Sequence, residues 1–162
     1  MNIRRATQSD AGRIADIWNL YVRDTTVTFT TAEKSSADVI TYIEGRQSHG
    51  MTVVVAEDDG QIRGFAAASV FRSGPGYDHT RETSVMLANG QSGQGTGRAL
   101  MTAVEAQARD DGIGAVVAGI SGDNDAAIAF HGKLGFQEVG RMPGVGRKFG
   151  RWLDLVLMQK ML

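Results

Sequence analysis

Glu82-Thr83-Ser84-Val85-Met86-Leu87-Ala88-Asn89-Gly90-Gln91-Ser92-Gly93-Gln94-Gly95-Thr96-Gly97-Arg98 is the stretch that decides the fold. Arg81 to Leu87 alternates as a strand and puts Glu82, Ser84 and Met86 on one face. Beyond the glycines, Leu100, Ala103, Val104 and Ala108 form the buried stripe of a helix from about Thr96 to Asp111. A glycine cluster between a strand and a helix offers free backbone N–H groups to an anion, with little bulk in the way.

Three phosphate readings compete for Gly93-Gln94-Gly95-Thr96-Gly97-Arg98. A Walker loop requires Gly-Lys-Ser/Thr, and no lysine stands here. A dinucleotide fingerprint requires Gly or Ala three residues after its second glycine; Arg98 or Leu100 occupies that place, depending on the frame. A turn that cradles a pyrophosphate of the coenzyme A kind remains, beside a glycine-rich helix start that binds nothing. The loop alone leaves both open.

Working outward, Asn2 to Arg5 reads as a short edge strand. Thr7-Gln8-Ser9-Asp10 reads as a capping box with Thr7 as N-cap, leading a helix with Ile14, Ile17, Trp18 and Tyr21 inward to about Arg23. A second helix begins at Ser35 or Ser36, turns Val39, Ile40 and Ile43 inward and stops at Gly50. Thr52 to Ala56 and Ile62 to Phe71 are strands joined by an Asp58-Asp59-Gly60 turn, and Arg72 to His79 is a Gly/Pro loop. Downstream come an apolar strand Ala115 to Ile120, a helix Asn124 to Leu134 ended by Gly135, and strands at Phe136 to Arg141 and Arg151 to Met161. The pattern is a mixed α/β domain over residues 1–162.

Composition narrows the function classes. The chain has 162 residues, a net charge of −1 with Lys and Arg dispersed, and 22% charged residues. A nucleic-acid surface needs a basic stripe that is absent here. No apolar run approaches a membrane span, and the N-terminus has no signal-peptide core, so a cytoplasmic protein is expected. Without cysteine there is no disulfide, no thiolate metal site and no thiol nucleophile. His49, His79 and His131 form no HExxH pair, so no metal is expected.

The strand from Glu82 to Leu87 before the glycine loop, and Asn124-Asp125-Ala126-Ala127-Ile128-Ala129-Phe130-His131 running into Leu134-Gly135-Phe136, resemble the GNAT superfamily of N-acetyltransferases. Phe71-Arg72, the E-x-S-V strand, the Thr26 to Phe29 region and Lys148-Phe149-Gly150-Arg151-Trp152-Leu153-Asp154 resemble its phosphinothricin and methionine sulfoximine acetyltransferases. Two departures stand out: Ser92 where the family carries Gln or Arg, and Met86 where it carries Tyr. The resemblance implies a GNAT fold, a mixed α/β (α+β) sheet of about six to seven strands flanked by about four helices. It also implies acetyl-CoA as co-substrate, a small amino-acid-like amine as acceptor and a homodimer, with no nucleic acid or membrane partner.

The same resemblance assigns roles. Glu82 is the base candidate, acting through water or with a raised pKa, because an ordinary glutamate near ~4.3 is too weak for an alkylammonium. A strand bulge would free the N–H of Met86 or Leu87 to polarise the thioester carbonyl, with Val85 beside them. Gly93, Gln94, Gly95, Thr96, Gly97 and Arg98 would hold the pyrophosphate, and Asn124 a pantetheine amide. His131 would protonate the leaving thiolate or, equally, fill the core. Arg72 suits a carboxylate by its fork geometry, and Glu82, Thr83, Ser84 and Lys148 complete the acceptor side. Alternatives are a protein or peptide N-acetyltransferase and a non-catalytic coenzyme A-binding module.

Overall fold

Asp59 and Gly60 both take positive φ, 49° and 71°, as a two-residue hairpin turn that matches strand twist requires. That turn joins β2 (Val53–Asp58) to β3 (Gln61–Val70) in a sheet that also contains β1 (Asn2–Arg5), β4 (Thr80–Leu87), β5 (Ala115–Ser121), β6 (Gln137–Lys148) and β7 (Arg151–Met161). The computed structural model describes residues 1–162. Its seven strands run in the order β1-β2-β3-β4-β5-β7-β6. Only β4 and β5 are parallel; the remaining neighbours are antiparallel. The mixed sheet with four α-helices is the expected architecture.

Helices cover both faces. Helices α1 (Ala11–Asp24) and α2 (Ser36–Gln47) pack Ile14, Ile17, Val39 and Ile43 against Val53, Val55, Phe65 and Ala67. Helix α3 (Thr96–Asp110) packs Leu100, Met101, Val104 and Ala108 on the opposite face, against Ala66, Val116 and Val156. Helix α4 (Asp125–Lys133) adds Ile128 and Phe130 to that side. Burying these aliphatic side chains, about 1.5–3 kcal/mol each, is what fixes the sheet between the layers.

Three details differ from the sequence reading. Thr7 opens a 3-10 turn over Gln8–Asp10, and α1 follows only at Ala11; the Asp10 carboxylate still accepts from the Thr7 N–H at 2.8 Å. Ala103 is only half-buried, whereas Glu105 is buried and ion-paired to Lys160 at 2.6 Å. Finally, β6 does not stop at Arg141 but continues to Lys148. Gly140, Pro143, Gly144 and Gly146 weaken the strand signal, and register shifts at Glu138/Gly140 and Met142/Gly146 absorb them as bulges. Phe149 (φ 52°) and Gly150 (φ 73°) then close the hairpin to β7.

Candidate active site

The sheet opens where its one parallel pair ends. β4 pairs with β5 only at Thr80, Arg81 and Glu82, against Ala115, Val116 and Val117. Beyond that point β4 pairs with β3 alone and β5 with β7 alone. The two strands therefore part, leaving a split bordered by Thr83 to Leu87 on one side and Ala118 to Ser121 on the other. Thr83, buried, donates its hydroxyl to Val117 O at 3.3 Å and marks the apex.

Alternation along β4 decides which main-chain groups look into the split. Ala88 N–H bonds Arg63 O at 2.8 Å, and every second residue below it, Met86, Ser84 and Glu82, is turned to β3 in the same register. The N–H and C=O of Thr83, Val85 and Leu87 consequently face away from β3. The register along β4 is unbroken, so no bulge is present. The expectation of a free Met86 or Leu87 N–H is corrected accordingly. Met86 is committed to β3, and Leu87 N–H reaches the Tyr21 hydroxyl at 3.2 Å. Val85 supplies the free donor.

The glycine loop sits at the C-terminal end of the same strand. Gly93 and Gly95 have φ of 78° and 82°, and nothing lies within 4 Å of the position of a Cβ at either. Gly95 is the N-cap of α3, and the first main-chain bond into that helix is Ala99 N–H to Gly95 O. The N–H groups from Ser92 to Arg98 thus have no acceptor within the protein. Stacked at a helix N-terminus, they suit a diphosphate, and the Ser92 departure removes a side chain, not this cradle. Gln94 Nε2 is tied to Gly90 O at 2.7 Å, and Arg98 leans on Lys133 O at 3.4 Å. Thr96 and Gly97 are buried; a Cβ at Gly97 would meet Phe130 Cζ at 3.1 Å, so this glycine serves helix–helix packing.

Glu82, Ser84 and Met86 share the α1/α2 face, as expected. Glu82 is open to solvent, yet the walls of the split strip part of its hydration. Burial alone raises its pKa above the ordinary glutamate value. Gly119 of β5 leaves it room, since a Cβ there would lie 3.4 Å from Glu82 Oε1. Ser84 is exposed next along the strand. Arg72 is exposed in the β3–β4 loop, 5.5 Å from the Phe71 ring centre, at the end of the hairpin where Ser69 pairs with Glu82.

Lys148 is placed differently from a substrate-facing lysine. It is 2% exposed, and its ammonium donates to Thr28 O at 2.8 Å and Tyr21 O at 3.2 Å. Desolvation lowers its pKa. Phe29 lies over Gly146, where a Cβ would collide with the ring. Lys148 and Gly146 together fasten the α1–α2 connection to β6.

His131 and Asn124 come from α4. Asn124 Oδ1 caps the helix by accepting from Ala127 N–H at 3.1 Å, which leaves its amide NH2 available. His131 is 5% exposed, lies edge-on between Phe130 and Phe136 with ring centres 5.2 Å away, and bonds Ala127 O through Nδ1 at 2.9 Å. That acceptor requires the proton on Nδ1. Desolvation lowers the imidazole pKa against smaller opposing contributions from Ala127 O and Glu105, so burial favours the neutral ring.

Tyr21 carried no site signal in the sequence beyond its place in an apolar stripe. The fold brings its hydroxyl to the split from 66 residues away, a distance local patterns do not span. No group of three or more His, Asp or Glu side chains converges as a metal site, and no helix is long and apolar enough to cross a membrane.

Comparison with known proteins agrees with this geometry. Residues 3–157 match the family model described as an acetyltransferase (GNAT) domain. The chain is 39% identical to the L-amino acid N-acyltransferase MnaT of Escherichia coli, over all of this chain and 94% of that one. It is 38% identical to the L-methionine sulfoximine/L-methionine sulfone acetyltransferase of Salmonella typhimurium, over all of this chain and 95% of the relative. A phosphinothricin acetyltransferase from Sinorhizobium meliloti, solved in complex with acetyl-CoA, superposes with a TM-score of 0.95 at 32% identity, over 99% of this chain and 88% of its own. The chain belongs to the GNAT family of acetyltransferases, enzymes that take their acyl group from acetyl-CoA.

Proposed function

We propose that residues 1–162 form one N-acetyltransferase domain that moves the acetyl group of acetyl-CoA to the α-amino group of a small amino-acid-like acceptor, of the methionine sulfoximine, methionine sulfone or phosphinothricin type. One observation carries this reading: β4 and the glycine loop that follows it present a partly desolvated carboxylate, a free main-chain donor and an unpartnered N–H cradle in sequence along an open split. The names of the relatives supply the acceptor class.

Bound acetyl-CoA supplies an acyl thioester as electrophile. The Ser92 to Arg98 N–H groups hold the diphosphate, and the Asn124 amide NH2 is placed for a pantetheine carbonyl. Val85 N–H stabilises the charge that develops on the thioester oxygen. Glu82, directly or through one water, takes the proton that the attacking ammonium must lose; its raised pKa makes it a stronger base than an ordinary glutamate. Arg72 holds the acceptor's carboxylate, with Ser84 beside Glu82 on the same face, while buried Thr83 fixes the apex through Val117 O. Lys148 contributes by fixing the wall formed by Thr28 and Phe29, not by touching the acceptor.

Coenzyme A thiolate is a fair leaving group even unprotonated, so its departure has no obligatory acid. His131, its neutral form favoured by burial and its proton on Nδ1, is assigned to packing in this scheme. We also propose a cytoplasmic homodimer. Phe149 and Trp152 are 58% and 66% exposed on the hairpin next to edge strand β6, apolar surface that a partner would cover.

Thiol release from acetyl-CoA, measured across amino acids, methionine sulfone, methionine sulfoximine, phosphinothricin and short peptides, tests the function. The small amino acids are expected to react and the peptides not to. Turnover confined to peptides would overturn the acceptor assignment, and no turnover would favour a binding module. Light scattering is expected to give the mass of a dimer.

A further inference from the structure

Tyr21 lies on α1, outside every motif of the reaction, yet its hydroxyl ends on the main chain of the split. It donates to Leu87 O at 2.8 Å and accepts from Leu87 N–H at 3.2 Å. We propose that Tyr21 is a positioning residue of the thioester site, its hydroxyl standing in for a missing strand neighbour at Leu87 and so holding Val85 N–H in place. The inference rests on the reading of the split as the acyl-donor site.

Main-chain N–H and C=O groups on an open strand edge need partners. Past Glu82 and Val117, the facing edges of β4 and β5 have no strand between them, and unpaired edges tend to pair with whatever strand is near. Leu87 has both an N–H and a C=O on that edge. Among side chains, a hydroxyl can donate to one and accept from the other. Tyr21 does both, so Leu87 is satisfied without β5 and the edge gains nothing at this residue by zipping shut.

Tyr21 is itself fixed. Its ring packs with Met86 around the apolar cluster under α1 and α2. Its carbonyl accepts from Lys148 Nζ at 3.2 Å and from Thr25 Oγ1 at 2.8 Å. The phenol is therefore anchored at the ring and at the main chain, and it transmits that anchorage to β4. Val85 lies two residues from Leu87 on the same edge, so a tilt of Leu87 redirects the Val85 donor. The position that the sequence comparison flagged as unusual, Met86, adjoins this contact: a phenol reaches the strand from α1 while the strand itself carries a thioether.

Tyr21→Phe preserves the ring and removes the hydroxyl. The expected result is a melting temperature close to wild type, a kcat about tenfold lower as the donor drifts from alignment, an unchanged KM for the amine, and an acidic limb of the pH profile that stays where Glu82 puts it. An unchanged kcat overturns the proposal. So does a loss of activity that merely tracks loss of folded protein, and so does an effect confined to the KM of the amine. Calorimetry with coenzyme A on the wild-type protein separates the acyl-donor site from the role of Tyr21. A wild type that binds no coenzyme A removes the acyl-donor site itself; a wild type that binds, beside a fully active Tyr21→Phe, removes only Tyr21.

Discussion

The two ends of β4 are built by different means. At its C-terminal end the glycine loop offers main-chain N–H groups from Ser92 to Arg98, and the side chains there mostly point elsewhere, as with Gln94 on Gly90 O. Toward its N-terminal end the proposed chemistry rests on side chains: Glu82 on the strand, paired with Ser69, and Arg72 from the β3–β4 loop. Main-chain donors tolerate sequence change because every residue but proline supplies one. Side-chain chemistry tolerates little. The coenzyme end is accordingly expected to resist mutation, and the acceptor end to fail at single positions.

Glu82→Gln is the harshest test of that contrast. Loss of a general base costs about 10²–10⁴-fold in kcat/KM, and the low-pH inflection of the profile should vanish with the carboxylate. Stability should move the other way. A carboxyl whose pKa is raised on folding stabilises the native state at pH values below its unfolded pKa, and that contribution fades as pH rises through the folded value. At neutral pH Glu82 therefore opposes folding slightly, and the Gln variant should melt no lower than wild type. Full activity in Glu82→Gln would leave the acceptor end without its base.

Arg72→Ala probes the same end by substrate. A charge-assisted pair to a carboxylate contributes ~1.5–3 kcal/mol, so KM for amino acids should rise about 10–100-fold. Amines without a carboxylate should be almost unaffected. Equal effects on both would reassign Arg72, exposed beside Phe71, to shaping the loop.

The same contrast explains what the sequence revealed. The glycine loop, the helix start at Ser35 or Ser36, and the Asp59-Gly60 turn are local devices, and the structure contains each of them. The identity of the free strand donor was not legible, because register and parity depend on the Ala88–Arg63 bond across the sheet. A bulge expected by resemblance moved the assignment one or two residues from Val85. Tyr21 and the packing role of Lys148 were invisible for a related reason, since their partners lie 66 and 120 or more residues away. The length of β6 was obscured by glycines and a proline that bulges accommodate.

At the coenzyme end, substituting neutral side chains should change little and adding charge should change more. Ser92→Ala is expected to bind coenzyme A as wild type does, because only its N–H is used. Ser92→Glu places a carboxylate beside the diphosphate cradle, and repulsion of about 1.4 kcal/mol would weaken binding about tenfold. Calorimetry on both variants decides the point. A large loss in Ser92→Ala would mean that the hydroxyl, not the main chain, carries the contact.

The smallest effect is expected at His131, and it decides whether α4 belongs to the chemistry or to the core. A proton donor to thiolate must be an imidazolium at the working pH. The slot between Phe130 and Phe136 disfavours that charge, and desolvation outweighs the favourable contributions of Ala127 O and Glu105. With Nδ1–H committed to Ala127 O, the neutral ring has no second proton to give. His131→Phe keeps an aromatic of similar bulk among two others and removes one hydrogen bond to a carbonyl that the helix already uses. Kcat should then stay within about threefold of wild type, with its alkaline limb unmoved, and any change should appear in the melting temperature. A fall of about 10²-fold at unchanged stability, with a flattened alkaline limb, is the signature of a general acid. That outcome would place His131 in the reaction after all, and would mean that binding of the thioester raises the imidazole pKa enough to charge it.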